Sequence, residues 1–100
     1  MLQDFFILFV DNIYESWVVD SGASFHATPH RKYFQDYAQG DFGHVYLGED
    51  EPCQIIGMGK VQIKKNNGNQ WLLKEVRHVP YLRKNLISIG LFSSEGYIYI

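Results

Sequence analysis

The sequence predicts an all-β domain, a barrel or folded sheet of short strands with at most one short helix. Three observations lead there. Runs rich in β-branched and aromatic residues recur at short spacing, as in Trp17-Val18-Val19, His44-Val45-Tyr46-Leu47 and Tyr97-Ile98-Tyr99-Ile100. Turn formers separate these runs, among them Asp20-Ser21-Gly22, Gln39-Gly40-Asp41-Phe42-Gly43 and Asn66-Asn67-Gly68-Asn69. Helical signals are confined to two short stretches, and no internal repeat or low-complexity tract interrupts the pattern.

Residues 1–16 are acid-flanked and apolar and read as a leader or an N-terminal strand, with residues 17–100 as the domain proper. Within them, Phe5-Phe6-Ile7-Leu8-Phe9-Val10 is the one long apolar run. It is far short of the about 20 residues that span a bilayer, and it lacks the basic flank of a secretory signal. Asp11-Asn12 is a turn signal before the buried strand of residues 17–19. After the Asp20 turn, Thr28-Pro29 is suited to cap and begin a single helical turn. Residues 44–47 then alternate as a strand, Gly48-Glu49-Asp50-Glu51-Pro52 reverses the chain, and residues 53–58 return as a hairpin. Residues 59–65 and 70–79 flank Asn66-Asn67-Gly68-Asn69, and Asn-Gly between strands is a strong hairpin signal because both turn positions accept positive φ. Beyond Pro80 lies an apolar segment, Leu86-Ile87-Ser88-Ile89-Gly90, then a short helix over residues 91–95 ended by Gly96, and residues 97–100 close the chain as a strand.

With 100 residues the chain is one domain, and a chain of that size buries only about 60–65% of its unfolded surface. Hydrophobic residues make up 46% and prolines number three, a composition that folds rather than one that stays disordered. A net charge of −2 argues against nucleic-acid binding, which calls for a basic face. Cys53 is the single cysteine, so no internal disulfide forms and a reducing compartment fits.

Chemistry concentrates in Trp17-Val18-Val19-Asp20-Ser21-Gly22-Ala23-Ser24, where an apolar strand delivers a carboxylate into a tight turn. Asp-Ser-Gly is also a common turn sequence, but an ordinary turn places its Asp among polar neighbours, and here Val18, Val19, Ala23 and Phe25 surround it. Asp4, Asp11, Asp36, Asp41 and Asp50 sit among polar or turn residues and read as solvated. His26 and His30, four apart, with Cys53 and His78, make a weak zinc candidate, because Pro29 stands between the histidines and the cysteine lacks a paired partner. Ser24, His26 and Asp20 are too close in sequence for triad geometry. Gly57-Met58-Gly59 lacks the third glycine and following helix of a nucleotide loop.

The flanks sharpen the reading. Asp-Ser-Gly-Ala-Ser led by Trp-x-x and followed by x-His resembles the active-site signature of the aspartic proteases of copia-type retrotransposons, a branch of the retropepsins. Ile55-Ile56-Gly57-Met58-Gly59-Lys60-Val61 is similar to that family's I-x-G-x-G-x-V strand. The stretch from Val76 to Gly90 is similar to its V-x-x-V-P-x-L-x-x-N-L-I-S-x-G block. Ser88 stands where retroviral relatives usually carry Gly, which marks the copia-type subfamily.

The resemblance implies a retropepsin-like, acid-protease barrel of short antiparallel strands. It implies Asp20 as the catalytic acid and Ser21, Gly22, Ala23 and Ser24 as the active-site loop, with Gly22 allowing close approach and Ser21 cross-bracing two copies. A substrate-covering flap is expected within residues 44–59, with Gly48, Ile56, Gly57 and Gly59 as its residues; the reversal at residues 48–52 is the first choice for its tip and residues 57–59 the second. One Asp-Ser-Gly per chain requires a homodimer, joined through the active-site loop and the terminal strands, since the chemistry needs two carboxyls. The expected substrate is the chain's own polyprotein, in an intracellular, cytoplasmic setting, with no cofactor, metal, nucleic acid or membrane. The alternative is an inactive, retrotransposon-derived β-barrel remnant serving as a structural or interaction domain, a reading favoured by the leader and by the end at Ile100.

Overall fold

The computed structural model describes residues 5–9, 16–20, 22–46, 51–64 and 70–94. The expected turns at residues 11–12 and 66–69, residues 48–50 of the expected reversal at 48–52, and the closing strand at 97–100 lie outside the described residues. Among the described residues nine strands follow in order: β1 (Phe5–Phe9), β2 (Ser16–Asp20), β3 (Ala27–Thr28), β4 (Phe34–Gln39), β5 (His44–Tyr46), β6 (Pro52–Gln54), β7 (Gly57–Lys64), β8 (Gln70–His78) and β9 (Asn85–Ser88). A 3-10 turn at Arg31–Tyr33 takes the place of the helical turn expected after Pro29. Helix α1 (Ile89–Ser94) follows β9 directly, close to the short helix expected there. It is far too short to cross a membrane, and no helix among the described residues is long and apolar enough to do so.

Seven strands form one sheet in the order β1-β2-β9-β3-β8-β7-β4, and β5 and β6 form a separate two-stranded hairpin. The expectation of antiparallel strands needs correction: β2 runs parallel to β9, from Trp17 beside Asn85 to Asp20 beside Ser88, and β3 runs parallel to β8. Turn signals govern strands that are neighbours in sequence, such as β7 and β8. β9 meets β2 only after all of β3–β8 has intervened, and a long connection permits parallel pairing. A closed barrel is not formed either, because β1 and β4, the outer strands, do not pair with each other among the described residues. β4 leaves the regular ladder between Gln35 and Ala38, where Asp36 takes φ +51°. Such a bulge bends an edge strand away from further pairing.

Alternation along the strands sorts side chains into two cores. Trp17 and Val19 of β2 pack with Phe34, Val61, Ile63, Leu73, Val76 and Ile87 in the larger core. Burial of a large apolar side chain contributes roughly 1.5–3 kcal/mol, so this cluster is the main source of stability. The indole Nε1–H of Trp17 meets no acceptor among the described residues, and packing alone holds the ring. The smaller core gathers Ala27, Cys53, Ile55, Val79 and Leu82, with Phe25, Val45 and Leu86 packed against it. Cys53 and Val45 belong to the hairpin, so this second core seats β5–β6 against the main sheet.

The glycines of the Ile55–Val61 motif lie in β7, paired with β8. Gly57 pairs with His78 on one side and Gln39 on the other. Tyr37 crosses over Gly57 to reach His78, its hydroxyl 2.6 Å from His78 Nδ1. A Cβ on Gly57 would overlap the Tyr37 hydroxyl and ring, and one on Gly59 would come within 2.9 Å of the Gln35 carbonyl oxygen and 3.0 Å of the Phe34 ring. The Arg31 guanidinium covers the Tyr37 ring at 3.7 Å from its centroid. Ile56 is tied down as well, its N–H donating to the His78 carbonyl and its carbonyl accepting from Gly40 N–H. Ile56, Gly57 and Gly59 therefore lie in the body of the sheet and at its seam with the hairpin. A sheet strand can be told from a flap strand only by its neighbours, and the motif has no means of naming them.

Candidate active site around Asp20

Successive side chains of a strand point to opposite faces, so with Trp17 and Val19 in the larger core, Val18 and Asp20 face the other way. Parallel register places Leu86 beside Val18 and Ser88 beside Asp20. A slip of one residue would send the carboxylate into the apolar core, and burial of Trp17 on the other face forbids it. The chain turns immediately after Asp20. Gly22 N–H donates to Asp20 Oδ1 at 2.8 Å, and Ala23 N–H donates to the Asp20 carbonyl at 3.3 Å, so the side chain and the turn it begins are fixed together.

Asp20 opens into a pocket of about 250 Å³ lined by Gly22, Ala23, Ser24 and Phe25 of the turn, Leu86 of β9, and Val45 and Tyr46 of the hairpin. Tyr46 is 65% exposed and stands at its rim. The hairpin β5–β6 thus lies over the carboxylate, pairing Val45 with Cys53 and Tyr46 with Pro52. Behind the wall, the Arg77 guanidinium sits over the Phe25 ring at 4.7 Å from its centroid. Asp20 is the one carboxylate among the residues lining this pocket. Its volume falls just under the about 300–1,000 Å³ usual for small-molecule sites.

Of the residues singled out from sequence, the structure brings together Asp20, Gly22, Ala23 and Ser24; Ser21 and Gly48 lie outside the described residues, and Ile56, Gly57 and Gly59 are elsewhere. His26, His30, Cys53 and His78 form no group placed to hold a metal ion, and none of three or more such side chains occurs among the described residues. His78 is buried, and burial is the main reason its imidazole titrates below the ordinary 6.5; a hydrogen bond to the Pro29 carbonyl opposes this, and the charges of Arg31 and His30 add to it.

Sequence reading named Ser88 and His26 but missed their part in fastening the turn. Ser88, buried beside Asp20, donates from Oγ to the Ala23 carbonyl at 2.9 Å and from N–H to His26 Nδ1 at 3.1 Å. The same Oγ accepts from Leu91 N–H at 3.3 Å, capping α1. One strand turn away, Thr28 Oγ1 donates to Asn85 Oδ1 at 2.6 Å in a buried contact, and accepts from His30 N–H at 3.2 Å. A Ser three residues ahead of Leu91 in an apolar segment is a readable cap signal. Nothing local pairs that Ser with Ala23 or His26.

These features define a mixed β-sheet domain with one strand-end carboxylate held in a turn beneath a hairpin. The chain belongs to the family of the Pol polyprotein beta-barrel domain, whose model matches residues 17–97. It is similar to the retrovirus-related Pol polyprotein from transposon TNT 1-94 of Nicotiana tabacum, 51% identical over 81 residues that make up 81% of this chain and 6% of that relative. The chain thus spans a small fraction of the length of the curated relative it matches. No solved structure matches it.

Proposed function

We propose that this chain is an aspartic endopeptidase domain of a retrotransposon Pol polyprotein, with residues 17–100 as the protease unit and Asp20 as its catalytic acid. The observation that carries the reading is the placement of Asp20, at the end of a core strand, pinned by Gly22 N–H and opening into a pocket beneath a hairpin. Peptide hydrolysis by paired carboxyls needs one ionised group to activate water and one protonated group to polarise the scissile carbonyl, the two sharing a proton. A single copy offers one carboxylate and a small pocket, which is half of such a site. A second copy, related by a two-fold axis and meeting the first through residues 20–24 and the terminal segments, supplies the other half. Such a pair titrates as a unit. The substrate is an extended segment of the chain's own polyprotein, laid beneath the hairpin by strand addition, in an intracellular setting and with no cofactor.

The same half-site favours a second reading, a folded but non-catalytic domain, if copies do not associate. Sedimentation of the purified chain, paired with a peptide-cleavage assay over about pH 4–6, separates the two. Cleavage by the wild type that is lost in Asp20→Asn, with an unchanged unfolding midpoint, supports the protease. Wild-type-like cleavage by Asp20→Asn removes Asp20 from the chemistry. A monomer that hydrolyses nothing leaves the non-catalytic reading.

A further inference from the structure

The turn that carries Asp20 is held from outside by two side chains whose part in holding it no motif states. Ser88 lies in register beside Asp20 and is almost wholly buried, as is His26. From that position the Ser88 hydroxyl reaches the Ala23 carbonyl, its own N–H reaches His26 Nδ1, and its oxygen caps the Leu91 N–H. Ala23 in turn donates to the Asp20 carbonyl. We infer that Ser88 and His26 are positioning residues, a clamp that fixes the Asp20 turn to the junction of β9 and α1. Its catalytic meaning rests on the protease reading above.

The chemistry of the clamp is specific. The Ser88 oxygen both donates and accepts, which a hydroxyl does and a methyl does not. Replacing it by hydrogen or methyl leaves the Ala23 carbonyl without its buried donor and the first turn of α1 without its cap. His26 must present an unprotonated Nδ1 to accept from Ser88 N–H, so an amide oxygen at that place is a chemical substitute and a hydrocarbon is not. Its backbone is held independently, because the Arg77 N–H donates to the His26 carbonyl at 2.9 Å. The ring can therefore be changed while β3 keeps its place beside β8.

The test compares Ser88→Ala with Ser88→Thr, and His26→Leu with His26→Asn, each as the full chain. Amide exchange at Gly22 and Ala23 is read by NMR against Val61 and Leu73 in the larger core. The expected result is exchange at Gly22 and Ala23 about tenfold faster in Ser88→Ala and in His26→Leu, with the core amides unchanged and with rescue by Thr and by Asn. Where the wild type cleaves peptides, Ser88→Ala lowers kcat on the order of tenfold to a hundredfold with KM nearly constant, as a misplaced catalytic group does. Unchanged exchange at Gly22 and Ala23 in both hydrocarbon variants overturns the clamp, whatever the activity. Faster exchange everywhere, core included, with no rescue by Thr or Asn, also overturns it, since that is general loss of stability. A wild type that cleaves nothing sinks the protease reading, while the exchange data still decide the clamp.

Discussion

Gly57→Ala tests where the Ile55–Val61 motif sits. At a flap tip the change would alter stability by no more than about 0.5 kcal/mol, as surface substitutions do. In β7 the added methyl meets Tyr37, which crosses the strand at that point. Tyr37 must move, and two losses follow. Overpacking in a filled site costs about 1–3 kcal/mol. Displacing the hydroxyl from His78 Nδ1, now 2.6 Å away, leaves a buried ring nitrogen unpaired at a cost of about 1–3 kcal/mol. The sum centres on roughly 3–4 kcal/mol, a large share of the about 5–15 kcal/mol that holds a domain together. For a chain of this size that is a fall in Tm above about 10 °C. Urea and thermal unfolding measure it, with Gly57→Ala repeated in a Tyr37→Ala background, where the obstruction is gone and the penalty should shrink to well under about 1 kcal/mol. A loss below about 1 kcal/mol in the wild-type background, or an equal loss in both backgrounds, refutes the crossing of Tyr37 over Gly57.

Three further outcomes are expected. Because burial depresses the folded-state pKa of His78 below its unfolded value of 6.5, its contribution to stability is present above that pH and is lost as pH falls through 6.5 toward the folded value. The urea midpoint should thus fall between about pH 7.5 and pH 5 with a slope that His78→Asn reduces, and an unaltered slope in that variant would assign the dependence to other groups. Amides of His44–Tyr46, Cys53 and Gln54 should exchange faster than those of Gln70–His78, since the hairpin is a separate two-stranded sheet while β8 lies between β3 and β7; equal protection would argue against a movable cover over Asp20. Deleting residues 97–100 should weaken self-association and abolish cleavage together, and a dimer of undiminished affinity by sedimentation would move the contact to another surface.

What the sequence determined by itself is local. The β character, the Trp17–Asp20 strand with its turn, the pairing of β7 with β8, and a short helix near residue 90 follow from side-chain alternation, turn chemistry and capping, all of which act over a few residues. The placement of Asp20 at a strand end leading into a turn was legible for the same reason, since an apolar strand running into Asp-Ser-Gly is a local pattern. Tertiary structure decided the rest. β2 lies parallel to β9, which places Ser88 beside Asp20 and Leu86 in its pocket, although these residues are far apart along the chain. That Gly57 and Gly59 leave room for Tyr37 and Phe34 shows only in the packed sheet. His26, which in sequence invites a metal or a triad, accepts a hydrogen bond from the Ser88 backbone. In each case the deciding contact joins distant residues, and its energy depends on a register set by burial of the whole core, a condition that no short stretch of sequence contains.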